Sequence, residues 1–120
     1  MKDRDAEWSA WMRAGLNGDE DSYGRLLREL TPFLRSLARS GLARAGRPAA
    51  EAEDIVQETL IALHTRRASW MPNQPLVPWL RAILKHKLID ALRKRGFTGH
   101  VDIDDWADQL PAPSEDGGIA

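Results

Sequence analysis

A tryptophan, a histidine and several cations share one side of the stretch WLRAILKHKLIDALR, residues 79–93. Those are groups suited to an unpaired nucleic-acid strand. At the helical spacing of about 100° per residue, Trp79, Ala82, His86, Ile89 and Arg93 fall together. Arg81 and Lys85 flank that stripe, and Lys94 and Arg95 extend the charge at its C-terminal end. Planar rings can stack on bases while cations neutralise phosphates. Two plainer accounts stand beside this one. Trp79 can turn inward and cap the core, as tryptophan commonly does. The run Arg93-Lys94-Arg95 suits a helix C-terminus on dipole grounds with no ligand at all.

The preceding segment RRASWMPNQPLVP, residues 66–78, is stiffened by three prolines. Its Trp70, Met71, Asn73 and Gln74 combine large apolar groups with side-chain amides, which suits a pocket for an extruded base. Trp70 can equally serve only to pin the loop to the body. A second candidate face lies on residues 49–65. There Ala52, Ile55, Val56, Thr59, Leu60 and Leu63 form an apolar arc, and Asp54, Gln57, Glu58 and Ile61 point the other way. Ile61 is either a stray surface isoleucine or the anchor of a docking face whose acidic groups meet a basic partner helix.

No catalytic constellation emerges. His64, His86 and His100 fall on separate elements without metal-ligand spacing. No glycine-rich loop follows a strand, so phosphate-cradling motifs are missing. The acid pairs Glu53-Asp54 and Asp104-Asp105 are explained by helix-start charge and by tail solubility. With no cysteine, there is neither a disulfide framework nor a thiolate site. The expectation is a binding protein, not an enzyme, with no metal or cofactor.

Helical periodicity dominates the elements that must carry these faces. Helices are expected over residues 5–16, with Trp8, Trp11 and Met12 on one side, and over a longer stretch capped by Asp19. In that second helix Tyr23, Leu26, Leu27, Leu30, Leu34, Leu37 and Ala38 keep the i, i+3, i+4 pattern. Pro32 should bend it or open its ladder, and residues 41–48 should break it. Third and fourth helices are expected over 49–65 and 76–95, the fourth burying Leu80, Ile83, Leu84, Leu88, Ala91 and Leu92. Strand alternation is nearly absent. The fold expected is all-α, a compact bundle of about four helices over residues 1–96, followed by a flexible acidic linker over 97–120. Charge divides the same way: residues 1–100 carry 17 Lys and Arg against 12 Asp and Glu, and residues 101–120 carry six acids and no Lys or Arg. A basic body suits an anionic partner. MKDRDAEW has no signal-peptide character and no stretch approaches a membrane span, so a cytoplasmic location is expected.

EDIVQETLIALHTRRASW followed by PLVPWLRAILKHKLIDALRKR, within residues 53–95, strongly resembles region 2 of the extracytoplasmic-function (ECF) sigma factors of bacterial RNA polymerase. Glu53, Asp54, Val56, Gln57, Glu58, Thr59, Trp79, Leu80, Ile83, Ile89, Asp90 and Arg93 carry the match, and residues 17–38 are similar to the family's preceding helix. His86 stands where many relatives carry asparagine, and Leu84 where a small residue is common. The resemblance implies a helical bundle whose acidic helix grips the clamp coiled coil of core RNA polymerase, a role falling on Asp54, Gln57, Glu58 and Ile61. It implies that the last helix and the loop before it recognise and melt the promoter minus-ten element, holding a base flipped out of the non-template strand. That role falls on the loop residues Trp70, Asn73 and Gln74, and on Trp79, Arg81, Lys85, His86, Arg93, Lys94 and Arg95. An anti-sigma partner is implied, as is a helix-turn-helix domain beyond an acidic linker such as 101–120. An interaction module that keeps the fold without reading DNA is the alternative. A helix-turn-helix repressor fits less well, because the proline-rich connection is too long for that motif's turn.

Overall fold

The computed structural model describes residues 4–94, so the linker expected at 97–120 and Arg95 lie outside the described residues. Four helices carry the fold: α1 (Arg4–Leu16), α2 (Glu20–Arg44), α3 (Ala52–Thr65) and α4 (Leu76–Lys94). Single 3-10 turns at Ala49–Glu51 and Arg67–Ser69 lead into and out of α3. Among the described residues there is no strand, and no helix is long and apolar enough to cross a membrane. The expected all-α bundle is what forms.

The helix ends follow local chemistry. Gly18 takes φ 98°, and its amide and that of Asp19 return to the carbonyls of Gly15 and Ala14. This left-handed close satisfies the last carbonyls of α1 at a position where a side chain would be strained. Asp19 then turns the chain into α2, accepting the Ser22 amide at 3.1 Å on one oxygen and its hydroxyl at 2.8 Å on the other. At the far end Gly46, φ 71°, and Arg47 close on Ala43 and Leu42 in the same manner. The break expected from residue 41 is thus delayed to Arg44, because Gly41 and Leu42 are buried and held by packing. α2 runs on through Pro32, so the ladder loses one bond there without the helix ending. Its ring is exposed, so the bond its missing N–H forfeits lies toward solvent.

The core is a leucine-rich seam. Leu26, Leu30, Leu34, Leu37 and Leu42 of α2 meet Ile55, Val56 and Leu63 of α3 and Leu80, Leu84, Leu88 and Leu92 of α4. The wheel arcs are nearly as expected, with Ala62 buried in α3 where Leu60 and, in α4, Ala91 are only partly so. Trp8 and Met12 carry α1 into this core, and Trp8 donates its indole N–H to Glu29 at 3.1 Å and leans on Phe33 with ring centroids 5.2 Å apart. Arg4 bridges the same Glu29. At the α2–α3 contact Tyr23 Oη and His64 Nδ1 lie 2.7 Å apart, and burial pushes the Tyr23 hydroxyl pKa up.

Candidate nucleic-acid and protein interfaces

The outward face of α3 is open as a unit. Asp54, Gln57, Glu58 and Ile61 are all exposed, and Ile61 is 61% accessible despite its apolar side chain. Glu53 beside them is committed elsewhere. It forms a forked ion pair with Arg35 of α2, and that hydrogen bond first, then the positive charge, holds its carboxyl below the ordinary value of 4.5. Glu58 is partly answered from within the chain: Lys87 Nζ of α4 stands 3.7 Å from its Oε1. A groove of about 330 Å³ separates α3 from α4 here, lined by Asp54, Gln57, Glu58, Lys87, Asp90 and Lys94 among others. Lys94 was expected on the nucleic-acid face. It lies in this acid-lined groove instead, because position 94 falls on the flank of α4 that packs toward α3.

The other sides of α4 hold the remaining cations. Ala82, His86 and Arg93 are exposed on the outer stripe, with Ile89 half-buried between them. Trp79 is also half-buried and packs against the core, so part of its indole is covered and part faces out. Arg81 and Lys85, both half-buried, occupy the flank away from α3. Trp70 requires a correction. It is 3% accessible and belongs to the core cluster, so its indole does not line a pocket open to an extruded base. The loop turns it inward because an indole gains more from burial than a short proline-rich connection could otherwise supply. Its Nε1 finds no acceptor there.

Asn73 and Gln74 are exposed and line a cleft of about 500 Å³ together with Pro75, Pro78 and Arg81. The opposite wall was not expected from the sequence. It is α1, through Asp5, Ser9 and Arg13. Asp5 Oδ1 accepts the amides of Leu76 at 2.9 Å and Val77 at 3.2 Å, and Ser9 Oγ accepts Leu76 N at 3.0 Å. Arg13 donates to the Pro72 carbonyl at 3.0 Å. A signal for this existed. Pro75 has no side-chain acceptor with which to cap α4, so its free amides needed one from elsewhere. The row Asp5, Ser9, Arg13 repeats at i, i+4 and i+8. The Nε of Arg81 is buried with no acceptor, an unmet donor at the edge of this cleft.

A small helical bundle with an open acidic face, a separate cationic stripe and a polar cleft defines a class of binding protein. Residues 26–98, more than half the chain, match the family model for sigma-70 region 2, and the chain belongs to that family. It is 34% identical over 120 residues to the "ECF RNA polymerase sigma factor SigF" of Caulobacter vibrioides (strain NA1000 / CB15N), covering all of this chain and 65% of that protein. It is 29% identical over 101 residues to the "RNA polymerase sigma factor CarQ" of Myxococcus xanthus, covering 83% of this chain and 56% of that protein. The chain therefore spans less than two thirds of the length of either relative. No solved structure matches it. The likeness to region 2 of the ECF sigma factors, drawn from residues 53–95, stands.

Proposed function

We propose that this chain is the polymerase-docking and promoter-opening domain of a transcription initiation factor. The observation that carries this reading is the separation of two solvent-facing surfaces on a leucine-sealed bundle within a sigma-70 region 2 match: Asp54, Gln57, Glu58 and Ile61 on α3, and Ala82, His86 and Arg93 beside the half-open Trp79 on α4. The α3 face offers an apolar anchor ringed by acids and an amide, suited to a basic helical coiled coil such as the polymerase clamp. The α4 stripe and the cleft beside it take the non-template strand of the minus-ten element. Lys85 and Arg93 neutralise phosphates, the exposed part of Trp79 and His86 stacks on bases, and Asn73, Gln74 and the Arg81 side chain at the cleft edge meet the polar edge of a base drawn out of the stack. Capturing that base repays part of the cost of opening the duplex, which couples sequence reading to strand separation. The domain acts by binding and carries out no chemistry. Its place of action is the cytoplasm, with an anti-sigma protein as a further partner.

A second reading has its own support: Trp70 is fully inside and Trp79 half inside, which suits an interaction module that docks on protein without reading DNA. Pull-down with core bacterial RNA polymerase tests the docking face, which both readings share. The triple variant Asp54→Ala, Gln57→Ala, Ile61→Ala should lose about tenfold or more in affinity, as expected for removing a central anchor, while folding normally. Undiminished capture by that variant would refute the α3 assignment. Binding of single strands, described below, separates the two readings.

A further inference from the structure

The match to sigma-70 region 2 begins at residue 26, so α1 lies outside it, yet α1 builds one wall of the cleft. The start of α4 explains why. Pro75 and Pro78 have no N–H, so the first turn presents the amides of Leu76 and Val77 for capping. Asp5 satisfies both from α1, across 71 and 72 residues of chain, and Ser9 adds a second acceptor for Leu76 across 67. One turn further along α1, Arg13 holds the Pro72 carbonyl. Within the loop itself the 71–75 segment shows one backbone turn, Gln74 N to Met71 O at 2.9 Å. Its upstream end is fixed by the buried Trp70, and its downstream end by α1.

We propose that the Asp5–Ser9–Arg13 row of α1 is a specificity-positioning element for the promoter strand: it sets the shape of the loop and the register of the first turn of α4, so that Asn73, Gln74 and Arg81 meet a base in one arrangement. This rests on the strand-binding reading above and extends it to a helix that the family match does not include. Phosphate attraction needs only charge and tolerates a shifting loop, whereas hydrogen-bond reading of a base edge does not. Loss of the row therefore costs discrimination and leaves general strand affinity in place.

The test uses this chain, a single strand enriched from a randomised oligonucleotide library on the wild type, and a scrambled strand of equal composition. Asp5→Ala and Arg13→Ala should each lower the ratio of selected to scrambled affinity by about tenfold, with the scrambled affinity and its salt dependence unchanged. Asp5→Asn and Arg13→Lys, which keep an acceptor and a donor, should restore most of the ratio. In parallel, amide hydrogen exchange at Leu76 and Val77 should quicken about tenfold in Asp5→Ala. An unchanged ratio in both alanine variants overturns the proposal. So does an equal fall for both strands with a salt slope shallower by about one, which would make Arg13 a phosphate contact. If the wild type itself prefers no strand, the parent reading fails. The exchange measurement then decides whether α1 holds the cleft, and unaltered rates in Asp5→Ala would show that it does not.

Discussion

Trp70→Ala and Trp70→Phe, taken as a pair, separate an anchor from a stacking platform. Trp70 is 3% accessible and packed in the core cluster, and its Nε1 has no acceptor. Truncating a buried large aromatic to alanine costs about 3–5 kcal/mol through lost burial and the cavity left behind. That is a large part of the roughly 5–15 kcal/mol that holds a domain of this size together. At about 4–8 °C per kcal/mol for a small domain, the thermal midpoint should fall by tens of degrees. Phenylalanine behaves differently. It gives up some contact area but also removes a buried donor without a partner, whose desolvation costs about 1–3 kcal/mol. The two effects nearly cancel, so Trp70→Phe should stay within about 1 kcal/mol of the wild type. Circular dichroism melts and urea titrations give both values. Trp70→Phe should also bind single strands as the wild type does. A Trp70→Ala protein that melts normally but no longer binds DNA would refute the buried-anchor assignment and return Trp70 to the strand-binding surface.

Gly15 of α1 lies close against α2: a Cβ there would stand 2.9 Å from Cβ of Tyr23. Gly15→Ala should destabilise by about 1–3 kcal/mol from the forced shift, offset by up to about 1 kcal/mol of helix propensity, and a urea midpoint above the wild type would contradict that. Glu53 is held below its ordinary 4.5 by Arg35, and Asp19 below 3.8 by the Ser22 hydroxyl and then its amide. A depressed carboxyl contributes stability above its unfolded pKa and loses it as pH falls through the folded one. The melting temperature should therefore decline below about pH 4.5. Arg35→Met should flatten the part of that decline due to Glu53, and an unchanged acid limb in that variant would remove the pair from the account.

Much of the scaffold was legible because its signals are local. The leucine row of α2, the arcs of α3 and α4 and the Asp19 cap each depend on neighbours within a turn or two. The α3 face was legible for the same reason, since Ile61 breaks the polarity of its own helix. What periodicity could not supply was contact between distant segments. Asp5 and Ser9 cap a helix that starts some 70 residues later, and only a search for the acceptor that Pro75 lacks would have raised the question. Lys87 pairing with Glu58 is of the same kind. Trp70 carried two readings in the sequence, because a loop tryptophan beside prolines can anchor the loop or help hold a base. Packing decided it. Trp79 kept something of both, with one side on the core and the other available.

In the proposed function the exposed stripe of α4 and its cleft take a separated strand by sequence. Selection of randomised single-stranded oligonucleotides on this chain, with duplexes of the same sequences as competitors, tests it most directly. A short enriched motif in which one position is nearly invariant is expected. Single strands should bind more tightly than duplexes, and Trp79→Ala or His86→Ala should weaken the enrichment. A pool that shows no motif and binds single strands and duplexes alike, with affinity set by salt alone, would contradict it.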